Sequence, residues 1–196
     1  MKKTFVVMAF ALLLSACEQG PSPYRAPPFA FEQTLAAPTR INVARITVHQ
    51  NYHPPLKRPY VDQEFPVAPA QAVEKWVMQR LKAAGNSGVL EVTIEDASVK
   101  EVKLPKSKGL KGLITDDQDA RYDARLVVHF RLYSGARGIS DASGQVNVTR
   151  SRSINERATV YEREAIFHRM TAEMIADFER ETQARLRGYF SAYLMP

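Results

Sequence analysis

The sequence predicts an α+β domain, a two-layer sandwich. A four-stranded, mainly antiparallel sheet is covered on one face by two helices, in the order β-α-β-β-β-α. Three observations point there. Tyr122, Ala124, Leu126, Val128, Phe130 and Leu132 alternate without a break, the period of a half-buried strand. Val73, Trp76, Val77, Leu81 and Ala84 form one apolar stripe at helical spacing, and Phe167, Met170, Met174 and Phe178 form a second. Glycines at 135, 138 and 144 turn the longest strand back on its neighbour, which favours antiparallel pairing.

Each element follows from its own residues. Ile41 and Val43 alternate, and Ile46 and Val48 continue on the other parity, so the first strand is expected to carry a bulge before His49. Pro54, Pro55, Pro59 and Pro66 then impose a long loop, of the kind that often serves function. Pro69 suits the first turn of a helix running to Ala84, and Gly85 is placed to end it. Leu90, Val92 and Ile94 begin a second strand, expected to continue past a shift of face near residues 96–98 to Val102 and Leu104. A loop or hairpin tip follows at 105–119, then the strand through Leu132, then a fourth around Val146 and Val148. From about Thr159 to Tyr193 the pattern is helical, with Gly188 a point of division. No internal repeat is present. One domain at 41–196 matches the length prior.

Ahead of that domain stand two other segments. Lys2 and Lys3 precede an uncharged apolar run, Phe5 through Leu14, which is too short to span a bilayer as a helix and reads as a targeting segment at 1–16. Leu14-Ser15-Ala16-Cys17 ends it with the chain's one cysteine. This stretch resembles the lipobox of bacterial lipoproteins, which implies cleavage before Cys17 and acylation of that residue with fatty chains such as palmitate. One acyl chain holds a protein only marginally, whereas several make anchoring effectively permanent. Glu18 follows where lipoproteins retained at the inner membrane often carry aspartate, so the resemblance implies the outer membrane, with the domain facing the periplasm. Residues 17–40 form a tether, made semi-rigid by Pro21, Pro23, Pro27, Pro28 and Pro38.

Composition narrows the function classes. Losing residues 1–16 removes Lys2 and Lys3 and no acid, so the formal charge falls from +6 to +4. That mild excess suits anionic lipid or lipopolysaccharide, and an envelope location argues against nucleic acid. With Cys17 blocked, no disulfide is available within the chain.

Lipobox, proline-rich tether and element order together resemble two groups of small envelope lipoproteins. They are the auxiliary lipoprotein of ABC-type envelope lipid transport systems and the LPS-assembly lipoprotein (LptE-type). The likeness is carried by Phe65-Pro66-Val67-Ala68-Pro69 leading into the Trp76 helix, by the strand at 124–132, and by Glu162-Arg163-Glu164-Ala165-Ile166-Phe167 opening the last helix. It implies a non-catalytic accessory or adaptor subunit within an envelope protein complex. A structural lipoprotein docking on a complex unrelated to lipid stays open as the alternative.

Site candidates are few. His49 and His53 are four apart, a ligand spacing only on a helix, and Pro54 and Pro55 oppose a helix there. His129 lies on the polar parity of its strand. With no Gly-rich phosphate loop, nucleophile elbow or paired-carboxylate signature, no catalytic residue, metal or cofactor is expected. A basic cluster, Lys103, Lys106, Lys108 and Lys111, is the first candidate for contact with lipid or LPS phosphates, against the plainer reading of a solvated hairpin tip. Arg150 and Arg152 are the second. They share the parity of Val146, Val148 and Ile154, so they must leave the core face through a bulge or present their planar donors to a ligand beyond the helices.

Overall fold

The computed structural model describes residues 37–105, 118–135, 139–155 and 157–196. Chain entry is through β1 (Thr39–Ile41), which continues after a short irregularity into β2 (Arg45–Gln50). Ile41 and Val43 are fully buried, while Ile46 and Val48 pack on the core from the opposite parity. The predicted bulge is this irregularity, and it hands the chain from one sheet to another. β1 starts inside the stretch assigned to the tether.

Helix α1 (Pro69–Arg80) opens on Pro69, whose missing N–H costs nothing at a first turn. It buries Ala72, Val73, Trp76 and Val77. It stops four residues before the expected Ala84. Leu81 adopts φ −114° and ψ 136°, and its buried side chain begins β3 (Leu81–Ala83), which pairs in parallel with β1. Leu81 and Ala84 extend the helical spacing by coincidence, so local pattern could not reveal a strand set by a distant partner. Gly85 has a different task from ending the helix. A Cβ there would lie 2.7 Å from the carbonyl carbon of Asn42 and 2.8 Å from Val43 N, at the β1–β2 junction.

The second expected strand is two. β4 (Val89–Asp96) and β5 (Val99–Lys103) lie end to end along one side of β6 (Gln118–Tyr133), separated by a register shift after Ile94. β7 (Ala142–Asn155) pairs along the other side of β6. Gly144, expected in the turn, is inside β7. β2 runs parallel to β4, because α1 supplies the crossover that parallel neighbours need. α2 (Val160–Tyr189) follows and runs through Gly188 without a break. A single 3-10 turn at Ser191–Tyr193 then leads to β8 (Leu194–Met195), antiparallel to β1.

The architecture is therefore α+β with two helices, but the expected four-stranded sheet and its order need correction. The described residues form a mixed five-stranded sheet (β2, β4, β6, β5 and β7) and a mixed three-stranded one, β3-β1-β8. Strands of two or three residues are too short to show a period. Both helices pack on one face of the large sheet. Trp76 meets Phe178 edge-on at 4.9 Å between ring centroids, and Phe178 lies 6.2 Å from Phe130 of β6.

The proline-rich loop is structural along much of its length. Val61 N–H donates to Val99 O (2.9 Å) and Glu101 N–H to Pro59 O (2.8 Å), so the loop covers the outer edge of β5. Phe65 then stacks on Phe167 at 4.2 Å. The opposite face of the large sheet, with Thr47, Glu91, His129 and Arg131, carries no element among the described residues.

Candidate functional site

Two poles define the molecule. Thr39, at the root of β1, accepts a hydrogen bond from Gln183 near the C-terminal end of α2 (3.1 Å). Lys103, Gln118 and Asn155 mark the far pole, together with the N-terminus of α2. At 1.5 Å per helical residue, the stretch of α2 from Gln183 back to Glu162 sets the two poles roughly 30 Å apart.

The sequence candidates distribute unevenly over this frame. Lys103 is exposed at the last residue of β5. Lys106, Lys108 and Lys111 lie outside the described residues. Arg150 and Arg152 do occupy the helix-facing parity, in a β6–β7 register unbroken from Ala120 to Leu132. Neither a bulge nor a strand end removes them. α2 instead brings carboxylates to them: Arg150 pairs with Asp177, and Arg152 reaches Glu173 through contacts of 2.9 and 3.2 Å. Asp177 also accepts from Arg180 at 2.6 Å. Any ligand phosphate at Arg150 or Arg152 would compete with these carboxylates. Glu173 and Asp177 are four apart on one helix face, so α2 meets both arginines along β7.

A polar network closes the far pole. Arg58 bridges Glu101 (2.5 Å) and Glu64 (3.0 Å), tying the loop to β5. Tyr122 O–H donates to Glu101 (3.2 Å) and accepts from Arg163 of α2 (2.6 Å). Burial pushes the Tyr122 phenol above its ordinary 10.0, with the Glu101 carboxylate adding to the shift and Arg163 opposing it. Tyr52 is pushed up the same way, first by burial and then by its hydrogen bond to the buried Asp62 (2.9 Å).

Beside this network, between the end of β7 and the first turns of α2, lies an open groove of about 510 Å³. Ala158, Ala165 and Ile166 supply its apolar lining, beside Tyr161, the guanidiniums of Arg157 and Arg169 and the Glu162 carboxylate, which Thr159 holds in the helix cap. This combination of apolar lining and two guanidiniums joins a strand end to a helix start, so no local sequence pattern carries it. Of the histidines, His53 shares a hydrogen bond with Asn51 O (2.9 Å), and His49 and His129 flank Thr93 on the uncovered sheet face.

No family model and no curated protein matches the chain. Among solved structures it is similar to rare lipoprotein B from Shewanella oneidensis, with 16% identity and a TM-score of 0.32, over 73% of this chain and 98% of that one. It is also similar to a minor lipoprotein from Acinetobacter baumannii, with 14% identity and a TM-score of 0.35, over 80% of this chain and 98% of that one. Likeness at this level is one of layout and carries no assignment of residues or activity.

Proposed function

We propose that this chain is an outer-membrane lipoprotein, anchored through acylated Cys17, that serves as a non-catalytic accessory or adaptor subunit of an envelope lipid or LPS transport system. The observation that carries the proposal is Leu14-Ser15-Ala16-Cys17 with the tether behind it, joined to a domain whose chain root sits at one pole. The opposite pole supplies what an anionic amphiphile needs: an apolar lining for chains, with Arg157, Arg169 and Lys103 for phosphates. Guanidinium groups favour phosphate through their planar fork of donors.

Two measurements test the proposal. Cys17→Ser is expected to abolish acylation and leave the protein unprocessed or released from membranes; mass spectrometry and fractionation identical to wild type would reject the anchor. Binding to vesicles containing anionic lipid, or to LPS, should weaken as salt rises, because charge attraction is largely screened beyond about 10 Å at 0.1 M. Replacing Lys103, Lys106, Lys108 and Lys111 by glutamate should weaken it further with little change in melting temperature. An acylated protein that binds no such surface at any salt would instead be a structural lipoprotein docking on a different envelope complex.

A further inference from the structure

Among the described residues β7 pairs on one side only, and the outward positions of its edge are uncharged. The Arg125 N–H points away from β7, to Ser98 O at 2.9 Å. Even-numbered residues of β6 therefore bond to β7, and through the register so do the even-numbered residues of β7. The outward backbone groups belong to Ser143, Gln145, Asn147, Thr149, Ser151 and Ser153. All six are exposed, all have uncharged hydrogen-bonding side chains, and none is proline or lysine. Proteins normally blunt such an edge with charge, proline, a bulge or a covering segment; the charges of β7, Arg150 and Arg152, are turned onto α2 carboxylates instead. Here β5 has its cover in the proline-rich loop, whereas β7 has none among the described residues over 14 residues.

We infer that β7 is a self-association edge, on which a second copy of this chain pairs antiparallel about a two-fold axis near Val148. The sequence of β7 is complementary to itself in that register. Asn147 faces the partner's Thr149, Gln145 the partner's Ser151, and Ser143 the partner's Ser153. By symmetry these make six exchanging pairs and about twelve backbone hydrogen bonds. On the helix side Arg150 faces the partner's Val146 and Arg152 faces the partner's Gly144, so no like charges stand opposite. An open groove of about 440 Å³ lies between this end of β7 and Glu181, Arg185 and Tyr189, with Gly144 itself against the Phe190 ring. Two five-stranded sheets would become one continuous sheet across the axis.

The test uses the full chain in membranes and in detergent. Asn147→Cys with Thr149→Cys places thiols directly opposite across the axis, at a Cα separation of about 5.5 Å that a disulfide accepts. Mild oxidation should then give a covalent dimer, while Lys100→Cys on the far side of the sheet should give none. Light scattering should report two chains per particle. Thr149→Pro should return it to one chain with circular dichroism retained, because that N–H points outward and is not part of the β6 ladder. Thr149→Lys serves as the second edge-blocking variant should the proline variant unfold. One chain per particle and no cross-link would overturn the inference. So would a dimer that a folded Thr149→Pro or Thr149→Lys leaves intact, or a cross-link from β7 to a different protein.

Discussion

Arg150 and Arg152 illustrate how a residue that contradicts its pattern acquires a partner. Both lie on the core parity of β7, and both are matched by α2 carboxylates at i and i+4. The two pairs differ in burial, and their energetics should differ with it. Asp177 is 14% exposed and serves both Arg150 and Arg180, so Asp177→Ala should cost about 1–3 kcal/mol by leaving Arg150 without its acceptor. Glu173→Ala breaks a pair that is 37–44% exposed and should cost about 1 kcal/mol or less. Urea titrations at pH 7 compare the two directly; equal losses would show that burial does not govern the ladder. Tyr122 gives a pH dependence. Its folded pKa is raised, so the stability it contributes is complete below about pH 10 and is lost as pH rises beyond that through the folded value. Tyr122→Phe should therefore flatten the alkaline end of a melting-temperature profile. At neutral pH it should cost about 1–3 kcal/mol, since Glu101 and Arg163 lose their shared hydroxyl.

At the scale of elements, α2 and the β3–β4 turn make opposite demands on glycine. Gly188 lies inside α2 with open space where an alanine methyl would stand, nothing approaching it within 4 Å, so Gly188→Ala should stabilise by about 0.5–1 kcal/mol. Gly85 sits against the backbone of Asn42 and Val43, so Gly85→Ala should destabilise by about 1–3 kcal/mol by forcing the β1–β2 junction apart. Thermal melts of the two variants should move in opposite directions. The start of α2 is held by a capping box: Thr159 Oγ1 accepts from the Glu162 N–H (3.2 Å), and the Glu162 carboxylate accepts from the Thr159 N–H (2.8 Å). Thr159→Ala should cost about 0.5–2 kcal/mol. The same backbone hydrogen bond holds Glu162 below its ordinary 4.5, so its contribution is complete above that pH and is lost as pH falls below it through the folded value. Glu162→Gln should reduce the acid-induced loss of melting temperature in that range.

Across the whole molecule, the last residues lock the first. Ile41 pairs with Leu194 and Arg40 with Met195, Arg40 also donates to Pro196 O (2.8 Å), and Asn42 N–H donates to Tyr193 O (2.7 Å). The three-stranded sheet thus joins β1 to the end of α2. Deleting Leu194, Met195 and Pro196 should expose the amides of Arg40 and Asn42, which face β8, to hydrogen exchange while leaving β6 protected. Unchanged exchange at those amides would mean that β3 alone holds β1. This small sheet sits at one pole, with Lys103 and the groove beside α2 at the other.

Sequence by itself determined the elements whose periods are long. The alternation of Tyr122 through Leu132 and the Trp76 and Phe178 stripes predicted β6, α1 and α2 because each buries one face over several repeats. The lipobox-like stretch at 14–17 is local too, and it lies outside the described residues. Tertiary structure decided whatever depends on a partner distant in the chain. β3 became a strand because β1 offered an edge, overriding a helical spacing that ran on by chance. The parallel placement of β2 followed from the α1 crossover, and the proline-rich loop became the cover of β5. Arg150 and Arg152 could be recognised as misfits from parity, but their partners follow only from the way α2 lies along β7. Local periodicity records which face is buried; it carries no record of what lies against that face, and at the far pole and along β7 that is what sets the chemistry.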